Sequence, residues 1–565
     1  MHMFSKYIKI IFILVAVATV SFSFTQFTQA TSFGDSISFN VDPNYDASVR
    51  EQVQTILVKT TPNLYFYVEK TWWETQVLAK QNEILINLNN LSFEFENKIY
   101  PTLTSVFGSE WKPGVDGDGK ITVLFHSMKE GASGYFRSSD EYIKLQVPNS
   151  NEREMLYLSI LDINSLRAKV SLAHEFVHLI TFNQKDKIND IHEETWLNEA
   201  RADYTANILG YDNSYEGSNL QSRVKDFLNS SSDSLTEWQE KKYDYATANL
   251  FIYYLIDHYG INMLSDSLKS KLVGILSINE ALLKNGYEES FEQIFTDWTI
   301  ATIVNDCSLS LKYCYLNKNL VNFKINPALN FLPLSGNSSL SVTNVTKNWS
   351  GNWQKIIGGN GNLKLEFLST TGLNFQIPYI TFDKDNNYFV TFLKLDKNEK
   401  GQIEIKNFGE KYNSLIIAPS LQTKIAGFDG LEFTYPYTFT VSITGAVPEA
   451  DEIIIQKLLA QIDVLKKQIA ILQFGGNGQK FENNSCFVLN NNLYLGVLNI
   501  KEVKCLQDLL KLEGLEVYPE GLITGYFGNL TKSAVIRFQK KYGILQTGFV
   551  GLITRTKINQ ILSGK

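Results

Sequence analysis

The stretch HEFVH at residues 174–178 combines residue types and a spacing that could do chemistry. An α-helix brings residues four positions apart onto one face, so His174 and His178 could bind one ion together. Glu175 would lie beside that ion, where it could take a proton from a bound water molecule. The pattern predicts a catalytic zinc-binding helix. The alternative is an ordinary buried helix that carries two hydrogen-bonded histidines.

The predicted zinc site needs a further ligand, because a catalytic zinc ion with three protein ligands keeps its fourth position for water. In one known arrangement the third ligand is another histidine, which follows the second after a glycine. Thr181 and Gln184 occupy those two positions here, so this arrangement is excluded. The other known arrangement takes a glutamate from a separate helix further along the chain.

Glu199 fits the second arrangement, since it lies 21 residues past His178 on the helical run TWLNEARADY. Asp203 follows four residues later on the same face. It is predicted to accept the free ring N–H of a ligating histidine, in the first place His174. Three other residues compete with Glu199 as ligands but fall in the connection before the helix: His192, Glu193 and Glu194.

The segments LAHEFVHLITFN and TWLNEARADY together resemble the glutamate-zincin (gluzincin) metallopeptidases, and most of all the secreted bacterial peptidases of the hyicolysin family. A looser resemblance extends upstream through VDGDGKITVLF and downstream through YDYATANLFIYYLIDHYG. It implies an α+β zincin-type catalytic domain, with a partly β N-terminal half, a helical half and the cleft between them. It also implies zinc-dependent cleavage of a protein or peptide substrate, with Glu175 as the general base and ligands His174, His178 and Glu199.

One position departs from the family pattern, because the usual glycine after the third ligand is Ala200, followed by Arg201. The charge of Arg201 could alter the cleft, although no ligand is lost. Gluzincins often steady the oxyanion of the reaction with a tyrosine or histidine from the following helical region. Tyr245 is the first candidate for this role, and Tyr243 and His258 are the alternatives.

The 565 residues are enough for several domains. The predicted architecture is multidomain: a catalytic domain, a β-sandwich, an amphipathic or coiled-coil helix, and a small three-helix domain at the C-terminus. The predicted segments are a signal peptide (1–30), a zinc metallopeptidase domain (31–325), a β-sandwich (330–445), a helical linker (448–474), a flexible linker (475–483) and a peptidoglycan-binding domain (484–565).

The N-terminus has the form of a secretory signal, with lysines before an apolar run from Ile10 to Phe24 and small residues near Ala30. An uncleaved anchor is the alternative. No other stretch approaches the length of a membrane span, so no span is expected once the signal is removed. Export also agrees with four cysteines that fall into two pairs, which predicts the disulfides Cys307–Cys314 and Cys486–Cys505.

The first half of the chain alternates between predicted strands and helices. LYFYVE (64–69) and EYIKLQV (141–147) predict strands, and the stretch from Gln81 to Phe107 predicts a helix. In VDGDGKITVLFH, Asp116 and Asp118 could bind calcium but lack the other ligands of an EF-hand loop. A tight turn that opens a strand is therefore favoured there.

Beyond Asn330, short alternating runs separated by Gly, Asn and Asp predict the β-sandwich. In one run Leu363, Leu365 and Phe367 fall on one face. The following segment carries a short heptad pattern over residues 453–472, which predicts either a single spacer helix or a coiled coil that would allow oligomerisation.

The C-terminal segment resembles the three-helix peptidoglycan-binding domain of secreted wall hydrolases. Leu506-Gln507 and Arg537-Phe538-Gln539 are its most specific pieces. From residue 484 onward, 10 Lys/Arg face 5 Asp/Glu, so this segment is +5 while the whole chain is −7. A basic segment suits an anionic partner such as wall glycopeptide. The alternatives are a solvated basic helix face and a small helical domain with another partner. The mild net charge of the chain does not indicate nucleic acid.

The sequence therefore predicts a secreted, wall-associated zinc endopeptidase. Two alternatives remain open at this level. The protein could be a hydrolase of peptidoglycan cross-links, or a wall-bound adhesin with an inactive catalytic domain.

Overall fold

The computed structural model describes residues 32–428, 430–444, 458, 462, 488–495 and 500–563. The chain divides into two units, residues 1–454 and 455–565. The predicted signal peptide, the flexible linker and nearly all of the predicted linker helix lie outside the described residues. Among the helices that are described, none is long and apolar enough to cross a membrane.

A six-stranded mixed sheet forms the N-terminal part of the first unit, in the order β1-β2-β3-β4-β6-β5. Its strands are β1 (Ser36–Asn40), β2 (Gln52–Thr60), β3 (Leu64–Glu69), β4 (Ile121–His126), β5 (Gly134–Phe136) and β6 (Met155–Ser159). The central strands β3, β4 and β6 run parallel, and β5 is an antiparallel edge strand. Every residue of β4 and β6 is buried, as expected for strands covered on both faces. The strand predicted at 64–69 is confirmed.

The strand predicted at 141–147 is wrong. The N–H groups of Gln146 and Val147 both donate to the carbonyl of Ile143, which closes a turn. Leu145, one of the apolar residues of the alternating pattern, is 91% exposed. Strand β5 pairs with β6 on that side of the sheet, and residues 141–147 pair with none of the described strands. The Asp116–Asp118 segment is the expected turn before β4, because Asp116 accepts the Asp118 N–H at 2.8 Å.

Helices fill the rest of the region before the second sheet. They are α1 (Lys70–Thr75), α2 (Leu78–Glu94), α3 (Tyr100–Phe107), α4 (Leu166–Thr181), α5 (Thr195–Asp203), α6 (Thr205–Ile208), α7 (Asn219–Asn229), α8 (Lys242–Tyr259), α9 (Asn262–Lys269), α10 (Gly274–Lys284) and α11 (Phe291–Val304). The helix predicted from Gln81 begins earlier, at Leu78, and a π-helical segment at Phe95–Ile99 joins α2 to α3. The Cys307–Cys314 disulfide is confirmed.

The predicted β-rich region is present, and its strands form one nine-stranded sheet that nearly closes on itself. They are β7 (Ala328–Leu332), β8 (Ser338–Thr346), β9 (Gln354–Gly358), β10 (Gly361–Ser369), β12 (Pro378–Asp383), β13 (Tyr388–Phe392), β14 (Lys400–Phe408), β15 (Tyr412–Ile417) and β17 (Tyr435–Thr444), while β11 (Phe375–Gln376) pairs separately with β16 (Ser420–Leu421). A single residue pair, Phe408 with Tyr412, connects β14 to β15 within this sheet. Leu363, Leu365 and Phe367 are buried on the inner face, as predicted.

This sheet shares a hydrophobic core with the helical region. The Trp349 ring lies 5.1 Å from the Phe291 ring and 5.4 Å from the Phe295 ring of α11. Trp353 donates its indole N–H to the Thr299 carbonyl at 2.9 Å. The β-rich region thus packs directly on the helices.

The second unit contains the three predicted C-terminal helices, α12 (Ile500–Leu512), α13 (Asn529–Lys541) and α14 (Leu552–Ser563). The side chain of Gln507 on α12 is buried and donates to the hydroxyls of Thr524 and Thr531. Gln539 on α13 makes the equivalent contacts to Thr547 in the loop before α14 and to Thr554 on α14. Cys505 is disulfide-bonded, and its predicted partner Cys486 lies outside the described residues.

Candidate metal centre

Helix α4 carries both histidines of the HEFVH stretch. Ser165 caps the helix, because its hydroxyl accepts the Arg167 N–H at 3.2 Å. Most of the helix is buried, and it packs against β5 and β6. His174 and His178 lie one turn apart, with ring centroids separated by 4.8 Å. The sequence therefore forms the predicted helix, and burial fixes which face carries the imidazoles.

Helix α5 brings Glu199 to the two imidazoles. Glu199 Oε2 lies 3.2 Å from His174 Nε2, and Glu199 Oε1 lies 3.5 Å from His178 Nε2. One ligand atom from each of the three residues lies within 4.8 Å of the other two. Among the described residues this is the one group of three or more His, Cys, Asp or Glu side chains that could hold a metal ion. Asp116 and Asp118 belong to no such group.

The outer nitrogen of each ring also has a partner. Asp203 Oδ1 lies 3.4 Å from His174 Nδ1, as the sequence predicted. Asn198 Oδ1 lies 3.1 Å from His178 Nδ1. Arg223 on α7 holds Asp203 through two hydrogen bonds, of 2.7 and 3.0 Å. Contacts of this kind orient an imidazole so that its other nitrogen faces a metal.

Glu175 is buried beside this cluster, 6% exposed. A Cβ added at Gly134 of β5 would lie 2.9 Å from Glu175 Oε1, so the glycine lets the edge strand approach the carboxylate. Burial, together with the charges of Glu199 and Asp203, raises the pKa of Glu175 to about 8. A carboxylate with a raised pKa can both accept and return a proton near neutral pH.

The charges around the rings favour a cation. Burial opposes the charged form of His174, but the contacts with Asp203 and Glu199 prevail and raise the pKa of His174 above its usual value. Burial lowers the pKa of His178, which favours the neutral ring that a metal requires. Despite burial, the neighbouring histidines lower the pKa of Glu199. Two imidazoles and one carboxylate form a donor set that suits zinc.

Of the three candidates for the oxyanion role, Tyr245 is the one on which Glu199 and Asp203 act electrostatically. Burial and the nearby Glu199 raise the pKa of Tyr245, so the phenol remains protonated and able to donate. Its ring lies beneath Arg223, 4.8 Å from the guanidinium carbon. His258 instead faces the Cys314 carbonyl at 3.0 Å. The charges that act on Tyr243 come from residues outside the centre.

The competing ligands predicted from the sequence have partners elsewhere. His192 contacts Asp186 and is 84% exposed. Glu193 accepts a hydrogen bond from Arg201 at 3.1 Å, and Glu194 accepts one from the Trp196 indole at 2.8 Å. Arg201 is fully buried in that contact. Its charge therefore lies in the protein interior and does not line the cleft.

Three residues at this site were not predicted from the sequence. Arg223 and Gly134 are distant in the chain from the residues that they support. Tyr45 precedes β2 and stacks on Tyr135, with ring centroids 4.6 Å apart. Burial and the charges of Glu240, Glu175 and Glu199 raise the pKa of Tyr45 to about 12. No local spacing pattern marks any of the three.

Two parts of the sequence are similar to known proteins. Residues 499–558 match the family model of a peptidoglycan binding domain. The neutral metalloprotease ShpI of Staphylococcus hyicus is 31% identical over 190 residues, which cover 29% of this chain and 41% of ShpI. The alignment thus spans less than half of that relative. This chain is therefore similar to a metalloprotease over part of its length and to a peptidoglycan binding domain over residues 499–558.

Similarity to solved structures is slight. A mitogen from Yersinia pseudotuberculosis aligns with 20% of this chain and 92% of its own at 11% identity, with a TM-score of 0.15. PliG, a periplasmic lysozyme inhibitor from Aeromonas hydrophila, aligns with 21% of this chain and 100% of its own at 10% identity, also with a TM-score of 0.15. Matches at this level carry no functional argument.

Proposed function

We propose that this protein is a secreted zinc endopeptidase of the gluzincin type, with a zincin-type catalytic domain and a C-terminal domain that binds the bacterial cell wall. The observation that carries the proposal is the convergence of His174, His178 and Glu199, with Asp203 behind the first ring. Similarity to a neutral metalloprotease supports the same class of enzyme.

In the proposed reaction His174, His178 and Glu199 would hold a zinc ion. A zinc ion bound there would lower the pKa of a water ligand towards about 7 and would polarise the substrate carbonyl. Glu175 takes a proton from the attacking water and returns it to the leaving amine. Its buried position beside the three proposed ligands supports this role in both transfers.

Tyr245 is the proposed donor to the oxyanion that develops on the peptide carbonyl. Its phenol stays protonated over the working pH range, because burial raises its pKa. Arg223 contacts both Tyr245 and Asp203, so one side chain positions the phenol and the carboxylate behind His174. We interpret Arg223 as a positioning residue.

The proposed location at the cell wall rests on the C-terminal unit. Residues 499–558 match a peptidoglycan binding domain, and the net charge of +5 from residue 484 onward suits an anionic polymer. Export rests on the predicted signal peptide at residues 1–30.

Zinc content and casein hydrolysis, measured together on the full mature chain, test the proposal. We expect the wild type to contain one zinc ion per chain and to cleave casein, and we expect His178→Ala to lose both. His192→Ala is the matched control, since His192 is exposed and lies outside the cluster. An active wild type without zinc, or equal losses in both variants, would contradict the proposal.

Hydrolysis of peptidoglycan cross-links is a second candidate function, favoured by the match of residues 499–558. Purified sacculi digested beside casein separate the two by their products. New amino groups released from the cross-linking peptides, with casein left intact, would favour the wall hydrolase. Cleaved casein with intact sacculi would favour the general endopeptidase.

A further inference from the structure

Two buried glutamates outside the candidate metal centre have carboxylate oxygens that accept no hydrogen bond from any other residue. Glu141 ends the short 3-10 helix Ser138–Glu141 and is fully buried, and Glu154 directly precedes β6 and is 2% exposed. Both oxygens of Glu141 and the Oε2 atom of Glu154 lack a donor from any other residue. The two carboxyl groups lie within hydrogen-bond reach of each other. The other Glu154 oxygen accepts the Val115 N–H at 2.9 Å.

The basic side chain that acts on this pair does not satisfy those oxygens. Lys187 donates its ammonium group to the main-chain carbonyl of Glu141 at 3.3 Å. The same group lies 4.0 Å from the centre of the Trp111 ring. Its charge acts on Glu141 only from a distance.

The neighbouring acidic groups add negative charge to this pocket. Asp140 is already satisfied by the Tyr157 hydroxyl at 2.6 Å and the Asn151 N–H at 2.9 Å. Asp116 acts electrostatically on Glu154. Unpaired charge in a dry interior is costly unless a cation or a proton compensates it.

We propose that Glu141 and Glu154 together bind a calcium ion. Calcium prefers carboxylate oxygens, tolerates irregular geometry and accepts water or main-chain oxygens at its remaining positions, whereas magnesium requires near-ideal octahedral coordination. The three carboxylate oxygens without a donor supply the protein side of such a site.

The ion would connect two segments that are far apart in the chain. Glu154 lies against the loop before β4, since a Cβ added at Gly114 would clash with its carboxylate. Glu141 belongs to the segment between β5 and β6, and β5 carries the glycine that faces Glu175. Calcium binding is therefore expected to stabilise the edge of the first sheet. This inference does not depend on the proposed peptidase activity.

The competing explanation is a proton shared between the two carboxyl groups. Thermal unfolding of the zinc-loaded full chain in calcium or magnesium distinguishes the two. Calcium at about a hundredfold above its Kd should raise the Tm of the wild type by roughly 5 °C, with little effect of magnesium. Glu141→Gln and Glu154→Gln should lose this response.

Glu110→Gln is the matched control, because Glu110 is also buried but lies 3.1 Å from the ammonium group of Lys112. It should keep the full response to calcium. A wild type that does not respond to calcium, or a response that survives in both glutamine variants, would overturn the proposal.

Terbium luminescence provides a second measurement that does not need the glutamine variants to fold. Terbium replaces calcium in oxygen-rich sites. A terbium ion here should be sensitised by Trp111, because the Lys187 ammonium group contacts both the Trp111 ring and the Glu141 carbonyl. We expect wild-type emission that calcium quenches and that Trp111→Phe reduces severalfold. Absent emission, or emission unchanged by Trp111→Phe, would contradict this location.

Discussion

In the candidate metal centre each ring nitrogen of His174 and His178 has an oxygen within 3.5 Å, whereas three oxygens of the Glu141–Glu154 pair accept no hydrogen bond from any other residue. Both clusters are buried and rich in carboxylates. The first contains nitrogen donors, and Arg223 offsets one of its carboxylates. The second has oxygen ligands and only a distant ammonium group.

This difference separates two ways in which a protein can hold a cation. Imidazole nitrogens with oriented outer partners suit zinc, whose geometry is strict and whose role is chemical. Carboxylates alone suit calcium, which stabilises a fold by neutralising and linking its segments. We therefore expect changes in the first cluster to affect mainly catalysis and metal affinity, and changes in the second to affect mainly stability.

Glu175→Gln should have the largest effect on catalysis without affecting metal binding. The amide cannot accept a proton from water, so kcat should fall by roughly 10³-fold. Zinc content should stay at the wild-type value, because Glu175 is not one of the three proposed ligands. Elemental analysis and initial rates on casein check both results. Substantial activity in the zinc-loaded variant would remove Glu175 from the mechanism.

Tyr245→Phe should have the next largest effect. Loss of one donor to the oxyanion is expected to reduce kcat by roughly 10²-fold with little change in KM. Tyr243→Phe is the matched control, because Tyr243 lies two residues before Tyr245 on α8. This variant should behave as the wild type. Steady-state kinetics on a peptide substrate measure both. If only the Tyr243 variant is impaired, the assignment of the donor is wrong.

Asp203→Asn should weaken zinc binding by roughly 10- to 100-fold, because the neutral amide orients and polarises the His174 ring less well. Competition with a chelator measures the affinity. Asp212→Asn is a suitable control, since Asp212 is also buried and instead accepts the Tyr253 hydroxyl at 2.7 Å. Equal affinities in the two variants would show that the contact with His174 has no effect on the metal.

The sequence could predict the candidate centre where helical periodicity determines the geometry. His174 and His178 follow from the four-residue repeat of α4, and Glu199 and Asp203 follow from the same repeat on α5. Arg223 could not be found in this way, because α7 reaches Asp203 only through tertiary packing. The assignment of roles to these residues is still a prediction.

The fold shows the same limit. Alternation identified the buried face of β10, where both neighbouring strands are present. The same kind of alternation at 141–147 misled, because a strand also needs a pairing partner, whereas this segment closes a turn on the Ile143 carbonyl. The Glu141–Glu154 pair arises from this irregular segment, so no periodic pattern could have indicated it.

The smallest expected effect is a dependence of stability on pH that calcium removes. Burial and the nearby Asp116 raise the pKa of Glu154 to about 7, and burial beside Glu154 raises that of Glu141. Without calcium the native state then holds a proton that the unfolded chain releases above about pH 4.3. The stabilisation that this proton provides is complete below that pH and should be lost as the pH rises to about 7. The expected decrease in Tm over this range is roughly a few degrees.

Thermal unfolding of the wild type and Glu154→Gln from pH 4.5 to 8, each with and without calcium, measures this effect. Only the calcium-free wild type should show the additional decline. In Glu154→Gln the glutamine has no proton to lose, and in the calcium-bound wild type the ion takes the place of the proton. The histidines of the metal centre titrate in both proteins, so the difference between the two curves isolates the glutamate pair. Parallel curves under all conditions would mean that the pair holds neither a proton nor calcium. Nothing would then compensate its carboxylates in the way that Arg223 offsets Asp203 in the metal centre.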